Sequence, residues 1–288
     1  VRKTAFPVLL LMIGVALGSG ASPGEEFSAD PALSAHLDEL VQQLKLERFV
    51  EDRKFAVSLV DVTDPERPRY AGVNDNQMMY AASLPKIAIL LAGFERIREG
   101  KLLYTQEVRE MFTRIARFSS NNDASKAVRM IGFERIAETL TSPKYRFYDS
   151  RNGGLWLGKA YGGPGDYWKR DPLHNFSHGA TTFQTARFFT LLAQERLVDR
   201  EASRELKEIL SRPGINHKFV KGLAQEPGVA IYRKSGTWKQ WHADAALIEH
   251  NGRRYVAAAM MEHPEGGKAL ERLIVGLDRI ICHSPAGY

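Results

Sequence analysis

The sequence predicts an α+β fold in which one antiparallel sheet, flanked by helices, carries an all-helical lobe. Three observations lead there. Two extended segments lie near the start, the first alternating apolar and polar residues, three strand candidates come in series near the end, and a long block of helical periodicity separates the two groups. Neither group of strands is large enough to stand alone, so the two must join into one sheet. The chain has 288 residues, 44% of them hydrophobic, which is enough to bury a sizeable core.

Residues 1–21 begin with Arg2 and Lys3, run apolar from Ala5 to Leu17 and reach small residues near Ala21. This is the pattern of a secretory signal peptide, and its apolar run is shorter than the roughly 20 residues that span a bilayer. The expected product is an exported, periplasmic or secreted domain over 22–288, with no stable membrane insertion after cleavage. Ser28 or Asp30 caps a first helix with Pro31 in its first turn, and Leu33, Leu37, Leu40, Val41 and Leu44 share one face. The alternation of "KFAVSLVDV", the turn chemistry of "TDPERP" and the extended pattern of "RYAGVN" predict a hairpin.

Helices follow over 83–99, 105–118, 123–130 and 133–141. Residues 142–180 are rich in glycine, proline and aromatics without a sustained period, which predicts one long ordered loop of the kind that is usually functional. Trp156, Tyr161, Tyr167 and Trp168 within it either offer stacking faces for a sugar or bury the loop against the body. Helices return over 182–197, 201–210 and 216–223. Three strands, "VAIYRKSGT", "ADAALIEH" and "RYVAAAMME", and a helix over 267–281 complete the chain. The helical lobe, about 83–212, is thereby inserted into the α/β lobe, and Ser83 falls on the boundary between them, where a substrate cleft is expected.

Forty lysines and arginines stand against 34 acids. Loss of Arg2 and Lys3 with the leader leaves 38 against 34, a net +4, and the charges are interspersed with no basic stripe. Nucleic-acid binding is therefore not expected. The single cysteine, Cys282, has no partner in the chain, so disulfides do not hold the fold. His174 and His178 have a metal-like spacing but lack the helical pattern and glutamate of a zinc signature, and neither a metal nor an organic cofactor is expected.

Three short motifs carry the chemistry. In "SLPK", Ser83 at a helix start lies beside unpaired backbone N–H groups and Lys86 follows one turn on; Pro85 is tolerated because a first turn needs no N–H. Ser83 is either a helix cap or a nucleophile whose proton a neutral lysine takes, provided burial or another cation lowers the amine's pKa. Lys234 in "KSGT" supplies such a cation, and Gly236 lets a substrate backbone approach the strand edge. In "FSSNNDASK", Ser120 with Asn122 offers a hydroxyl for proton transfer and an amide for positioning, and Ser119 with Asn121 is the competing register.

In this order, "SLPK", "SNN" and "KSGT" resemble the motifs of the penicillin-recognising serine enzymes, the class A β-lactamases and penicillin-binding peptidases, over nearly all of the mature chain. That resemblance implies their fold, an antiparallel sheet flanked by helices with the site facing an all-helical lobe. It favours Ser120 and Asn122. It implies that Ser83 attacks a lactam or amide carbonyl, that Lys86 accepts its proton, that Ser120 protonates the leaving nitrogen and that Lys234 tunes this network. The N–H groups of Ser83 and Thr237 would form the oxyanion hole, and the hydroxyls of Ser235 and Thr237 would hold a substrate carboxylate. Asn122 and Gly236 complete the implied binding set.

The chain departs from the class A pattern at the loop glutamate that activates the deacylating water, since no glutamate lies between Glu138 and Glu195. "DPLHN" resembles the family's Glu-Pro-x-x-Asn, with Asp171, Pro172 and Asn175 in the matching places. Asp171 is then either the water-activating base or a loop anchor, and Asp166, His174 and His178 are weaker substitutes. The implied function is a serine hydrolase of the class A β-lactamase type that opens β-lactams or related amides through an acyl-serine. The alternatives are a penicillin-binding D-alanyl-D-alanine peptidase with slow deacylation and a non-catalytic binding protein. The expected partner is a small-molecule β-lactam or a peptidoglycan peptide, bound by a monomer.

Overall fold

The structure, a computed structural model, describes residues 27–162 and 166–282; the expected leader lies outside them. In chain order the elements are β1 (Ser28–Ala29), α1 (Pro31–Gln43), α2 (Glu47–Glu51), β2 (Phe55–Asp61), β3 (Arg69–Val73) and β4 (Met79–Tyr80). The helical stretch follows with α3 (Lys86–Arg98), α4 (Gln106–Arg117), α5 (Asn121–Ile131) and α6 (Phe133–Thr141). Short strands β5 (Tyr148–Asp149), β6 (Gly153–Gly154), β7 (Trp156–Leu157) and β8 (His178–Ala180) then lead to α7 (Thr182–Ala193) and α8 (Arg200–Leu210). The chain returns through α9 (Phe219–Gly222), β9 (Ala230–Trp238), β10 (Trp241–His250) and β11 (Arg253–Glu262) to α10 (Gly266–Cys282).

Strands from both ends of the chain form one sheet in the order β1-β3-β2-β11-β10-β9. The pairings among β2, β3, β9, β10 and β11 are antiparallel, and the two-residue β1 lies parallel to β3. Asn251 and Gly252, both at positive φ, make the tight turn between β10 and β11, as an Asn-Gly pair does where the turn must match strand twist. The central strands β2, β11 and β10 are buried on both faces, and period-two alternation sorts their side chains. On β2, Phe55, Val57 and Leu59 face one core, together with Leu37 of α1 and Leu273 of α10. Ala56 and Val60 face the other, with Phe188 of α7 and the helical lobe behind it. Strands that read as continuous apolar runs are explained by this double covering.

The element order agrees with the expected α+β architecture. Two expectations are corrected. The helix expected over 216–223 shrinks to α9, because Lys218 takes a left-handed φ of 51° that ends helical continuity before Phe219. The 142–180 segment is ordered but not strand-free: β8 pairs with β7 on one side and with β4 on the other, tying the loop to the residues just before Ser83. Trp156 is buried and stacks on Trp168, which itself stacks on Phe133, so these rings fasten the loop to the body, whereas Tyr167 is exposed. Among the described residues no helix is long and apolar enough to cross a membrane.

Candidate active site

Ser83 lies in a turn of i→i+3 hydrogen bonds that precedes α3, with Leu84 N–H donating to Ala81 O and Lys86 N–H to Ser83 O. The helix proper begins at Lys86, so Ser83 is presented ahead of it instead of capping it. Ala82, immediately before, has φ of 50°, a region that L-residues enter only when the surroundings hold them there. The surroundings include β9. A Cβ on Gly236 would lie 2.0 Å from Ala81 O and 2.8 Å from the nitrogens of Ser83 and Leu84, so only glycine lets the edge strand close against this turn.

Lys86 is fully buried. Its Nζ donates to Ser119 O at 2.6 Å and to Asn121 Oδ1 at 2.7 Å, with Ser119 Oγ at 3.3 Å. Lys234, also buried, donates from Nζ to Ser119 Oγ at 2.9 Å and to Ser235 O at 2.7 Å. One serine hydroxyl thus bridges two lysine amines that lie 148 residues apart in sequence, the difference between positions 86 and 234. Burial lowers the pKa of Lys86 to about 7. Burial, reinforced by the neighbouring Lys86 and Arg233 cations, holds Lys234 well below an ordinary lysine. No carboxylate bonds either amine among the described residues, so the pair is not neutralised by an ion partner, and at least one amine is free to be a base.

The serine of this network is Ser119 and the amide is Asn121, which corrects the register expected from sequence. Ser120 Oγ accepts the N–H of Asp123 and caps α5, and Asn122 is exposed on the first turn of that helix. The physical reason is backbone geometry. Ser119 has φ of 56°, and this left-handed residue turns its own hydroxyl and carbonyl toward the lysines while leaving Ser120 at the cap.

Of the two roles open to Asp171, its contacts are those of the loop anchor and not of the base. It is buried, and its Oδ1 accepts Tyr148 O–H at 2.7 Å and Leu173 N–H at 3.1 Å, while Oδ2 accepts His174 N–H and Phe176 N–H, each at 3.0 Å. A carboxylate with both oxygens committed to its own turn is an anchor, with no lone pair directed at a water near Ser83. Asp166 is exposed and pairs with Arg129 at 3.5 Å. His174 is exposed, and His178 is buried with Nε2 bonded to Lys159 O and Nδ1 to Ser177 Oγ, so the two do not form a metal pair.

Ser235 is buried and its Oγ meets His217 Nε2 at 3.2 Å, while Thr237 is exposed at the strand end. Lys218 was not visible in the sequence as a site residue. Its buried Nζ donates to Gly236 O at 2.6 Å, Thr237 Oγ1 at 2.8 Å and Ala243 O at 3.0 Å, which places a third lysine directly behind the "KSGT" strand. The segment that carries it is held by the buried Arg233–Asp244 pair, with Arg233 donating to Ile215 O and Asp244 accepting Phe219 N–H. A cavity of about 460 Å³, lined in part by His217, Lys218, Thr237 and His242, opens beside this end of β9.

The arrangement offers a hydroxyl on a strained turn, a buried amine one turn on, a bridging hydroxyl and cationic groups beyond. That is a set for attack on a carbonyl and protonation of a leaving nitrogen. Comparisons agree in fold. PBP-A, in an acyl-enzyme complex of one of its variants with penicillin G, superposes with a TM-score of 0.64 at 18% identity over 84% of this chain and 95% of that one. A β-lactamase from Sphaerobacter thermophilus gives 0.63 at 14% identity over 86% and 94%. The last common ancestor of Gram-negative bacteria class A β-lactamase gives 0.64 at 17% identity over 85% and 98%. No curated protein matches the sequence. Residues 37–116 and 114–283 match the profile described as the β-lactamase enzyme family, and with most of its length so matched the chain belongs to that family.

Proposed function

We propose that this chain is a penicillin-recognising serine enzyme that forms an acyl-serine at Ser83 and releases it slowly. The observation that carries the reading is the Lys86–Ser119–Lys234 network, with Gly236 of the Lys234 strand closed against the backbone of the Ser83 turn. In this reading neutral Lys86 takes the proton of Ser83 Oγ as the oxygen bonds to the carbonyl carbon. Ser119 then gives its proton to the nitrogen as the C–N bond breaks, and is reprotonated through the lysine it touches. In their protonated forms the buried amines of Lys234 and Lys218 draw the substrate carboxylate to the Ser235–Thr237 end of β9. Slow release is supported by the commitments of Asp171, His178 and Asp166, none of which offers a base to a water beside the ester.

The substrate class is a β-lactam, or an amide of similar shape such as a peptidoglycan peptide end. Intact-protein mass spectrometry with benzylpenicillin tests the reading. A persistent adduct of one drug molecule, absent in Ser83→Ala, is the expected result. Rapid turnover with no accumulating adduct would instead make it an efficient β-lactamase, and no adduct at any concentration would make it a binding protein.

A further inference from the structure

Tyr161 lies beside Lys86 and against the residue that precedes Ser83. Its ring centre lies 4.3 Å from Lys86 Nζ and 4.4 Å from the ring of His178. Its hydroxyl reaches Ala82 O at 3.4 Å, so the side chain spans from the lysine amine to the residue that precedes the nucleophile. The ring is fixed there by its backbone. Ser125 Oγ donates to Tyr161 O at 2.6 Å and accepts Tyr161 N–H at 2.9 Å, satisfying both main-chain groups with one hydroxyl on α5. Gly162 follows at φ of 80°, where an added Cβ would come within 3.3 Å of the Asn121 side chain. The loop is thus seated against α5 and against Asn121, one of the two residues that accept from Lys86.

A water needs two to four polar partners to be held in such a place. Of the polar groups around the ring, the hydroxyl is directed at Ala82 O, both nitrogens of the His178 imidazole are bonded elsewhere, and the Lys86 amine is bonded to Ser119 O and Asn121 Oδ1. We infer that Tyr161 is a water-excluding residue: it plugs the space next to the acyl-Ser83 ester, and the lifetime of that ester is set by the ring as well as by the lack of a carboxylate. The inference rests on the acyl-serine reading above.

The experiment follows the benzylpenicillin adduct by intact mass in the full chain and in Tyr161→Phe, Tyr161→Ala and Tyr161→Gly, with circular dichroism to show that each is folded. Acylation and release are timed separately, with and without added formate. Opening the plug is expected to speed release by at least about tenfold in the Ala and Gly variants, and formate, small enough to enter and able to act as a base, to speed it further in a concentration-dependent way. Tyr161→Phe, which keeps the ring, is expected to hold the adduct nearly as long as the parent chain. A fold defect alone would show in the circular dichroism and would not produce a release rate that rises with formate concentration. Folded Ala and Gly variants that keep the parent's release rate, with formate and without it, would overturn the plug and leave the acyl-serine reading intact. If the parent chain forms no adduct, both fall, since there is no ester to protect.

Discussion

The pH dependence of acylation is the most direct test of the proton path. The perturbation is pH alone, and the rate constant measured is that for adduct formation at saturating fluorescent penicillin, followed by stopped flow from pH 5 to 9. If Lys86 must be neutral to take the Ser83 proton, the rate follows the neutral fraction of an amine whose pKa burial has brought to about 7. It should then rise with pH, reach half its plateau near pH 7, and stand at about one-hundredth of the plateau at pH 5. Neighbouring imidazoles do not confuse this limb, because burial holds His178 and His217 at about 4, below the window. Lys218 does fall inside it, also at about 7 through burial. The two are separable: Lys218→Met should weaken apparent affinity for the drug and leave the midpoint of the saturated rate in place, since Lys218 touches Thr237 and not Ser119. A flat profile between pH 5 and 9, or a midpoint near that of an ordinary lysine, would refute Lys86 as the base.

Further outcomes follow from the same geometry. Ser119→Ala should slow acylation by about a hundredfold or more, whereas Ser120→Ala should cost only about 1 kcal/mol of stability for a lost helix cap, read by denaturant unfolding, with acylation retained. The opposite pattern would restore the register read from sequence. Asp171→Ala strips the acceptor from three backbone N–H groups and one tyrosine hydroxyl and should destabilise the chain by about 2–4 kcal/mol in chemical denaturation. Gly236→Ala sets a methyl against the Ala81 carbonyl and should abolish the adduct, which mass spectrometry reads directly. Finally, Lys86 and Lys218 have folded pKa values below those of the unfolded chain, so the unfolded state binds more protons between about 7 and 10. Their contribution to the unfolding free energy should rise with pH across that window, reach its maximum above it, and fall to its minimum as pH drops through 7.

The sheet and the helices of the lobe were legible because each is buried on a defined face, and periodicity records burial. "KFAVSLVDV" and "RYVAAAMME" alternate between two cores, and α4, α5 and α8 each bury a single stripe. Motif spacing singled out Lys86 and Lys234, which the structure brings together on one serine hydroxyl. The Ser119/Ser120 choice was not legible: both residues are serine, both are followed two places on by asparagine, and the decision lies in one left-handed φ that composition does not encode. Asp171 misled for a related reason, since a short acidic residue before a proline suits an anchored turn as well as a catalytic loop, and only its four donors tell the two apart. Lys218 left no trace because a buried lysine and a surface lysine read alike.

These failures share a cause that also explains how the site is assembled. What sequence could not supply is the set of positions where the backbone is held in conformations it would not choose, at Ala82, Ser119 and Lys218, and each of these adjoins a group of the network. Such conformations cost of order 1–3 kcal/mol apiece and persist only where packing fixes them. Here the fixing is done by β9. Gly236 presses on the Ser83 turn, Lys234 binds the Ser119 hydroxyl, and Lys218 binds the Gly236 carbonyl. One edge strand therefore touches all three strained segments at consecutive or alternate residues. A change that shifts β9 along its own axis by a single residue would replace Lys234 with Arg233 or Ser235 and reverse every side chain, so the register of β9 on β10, with Lys234 opposite Ala245, is as much a part of the chemistry as the nucleophile.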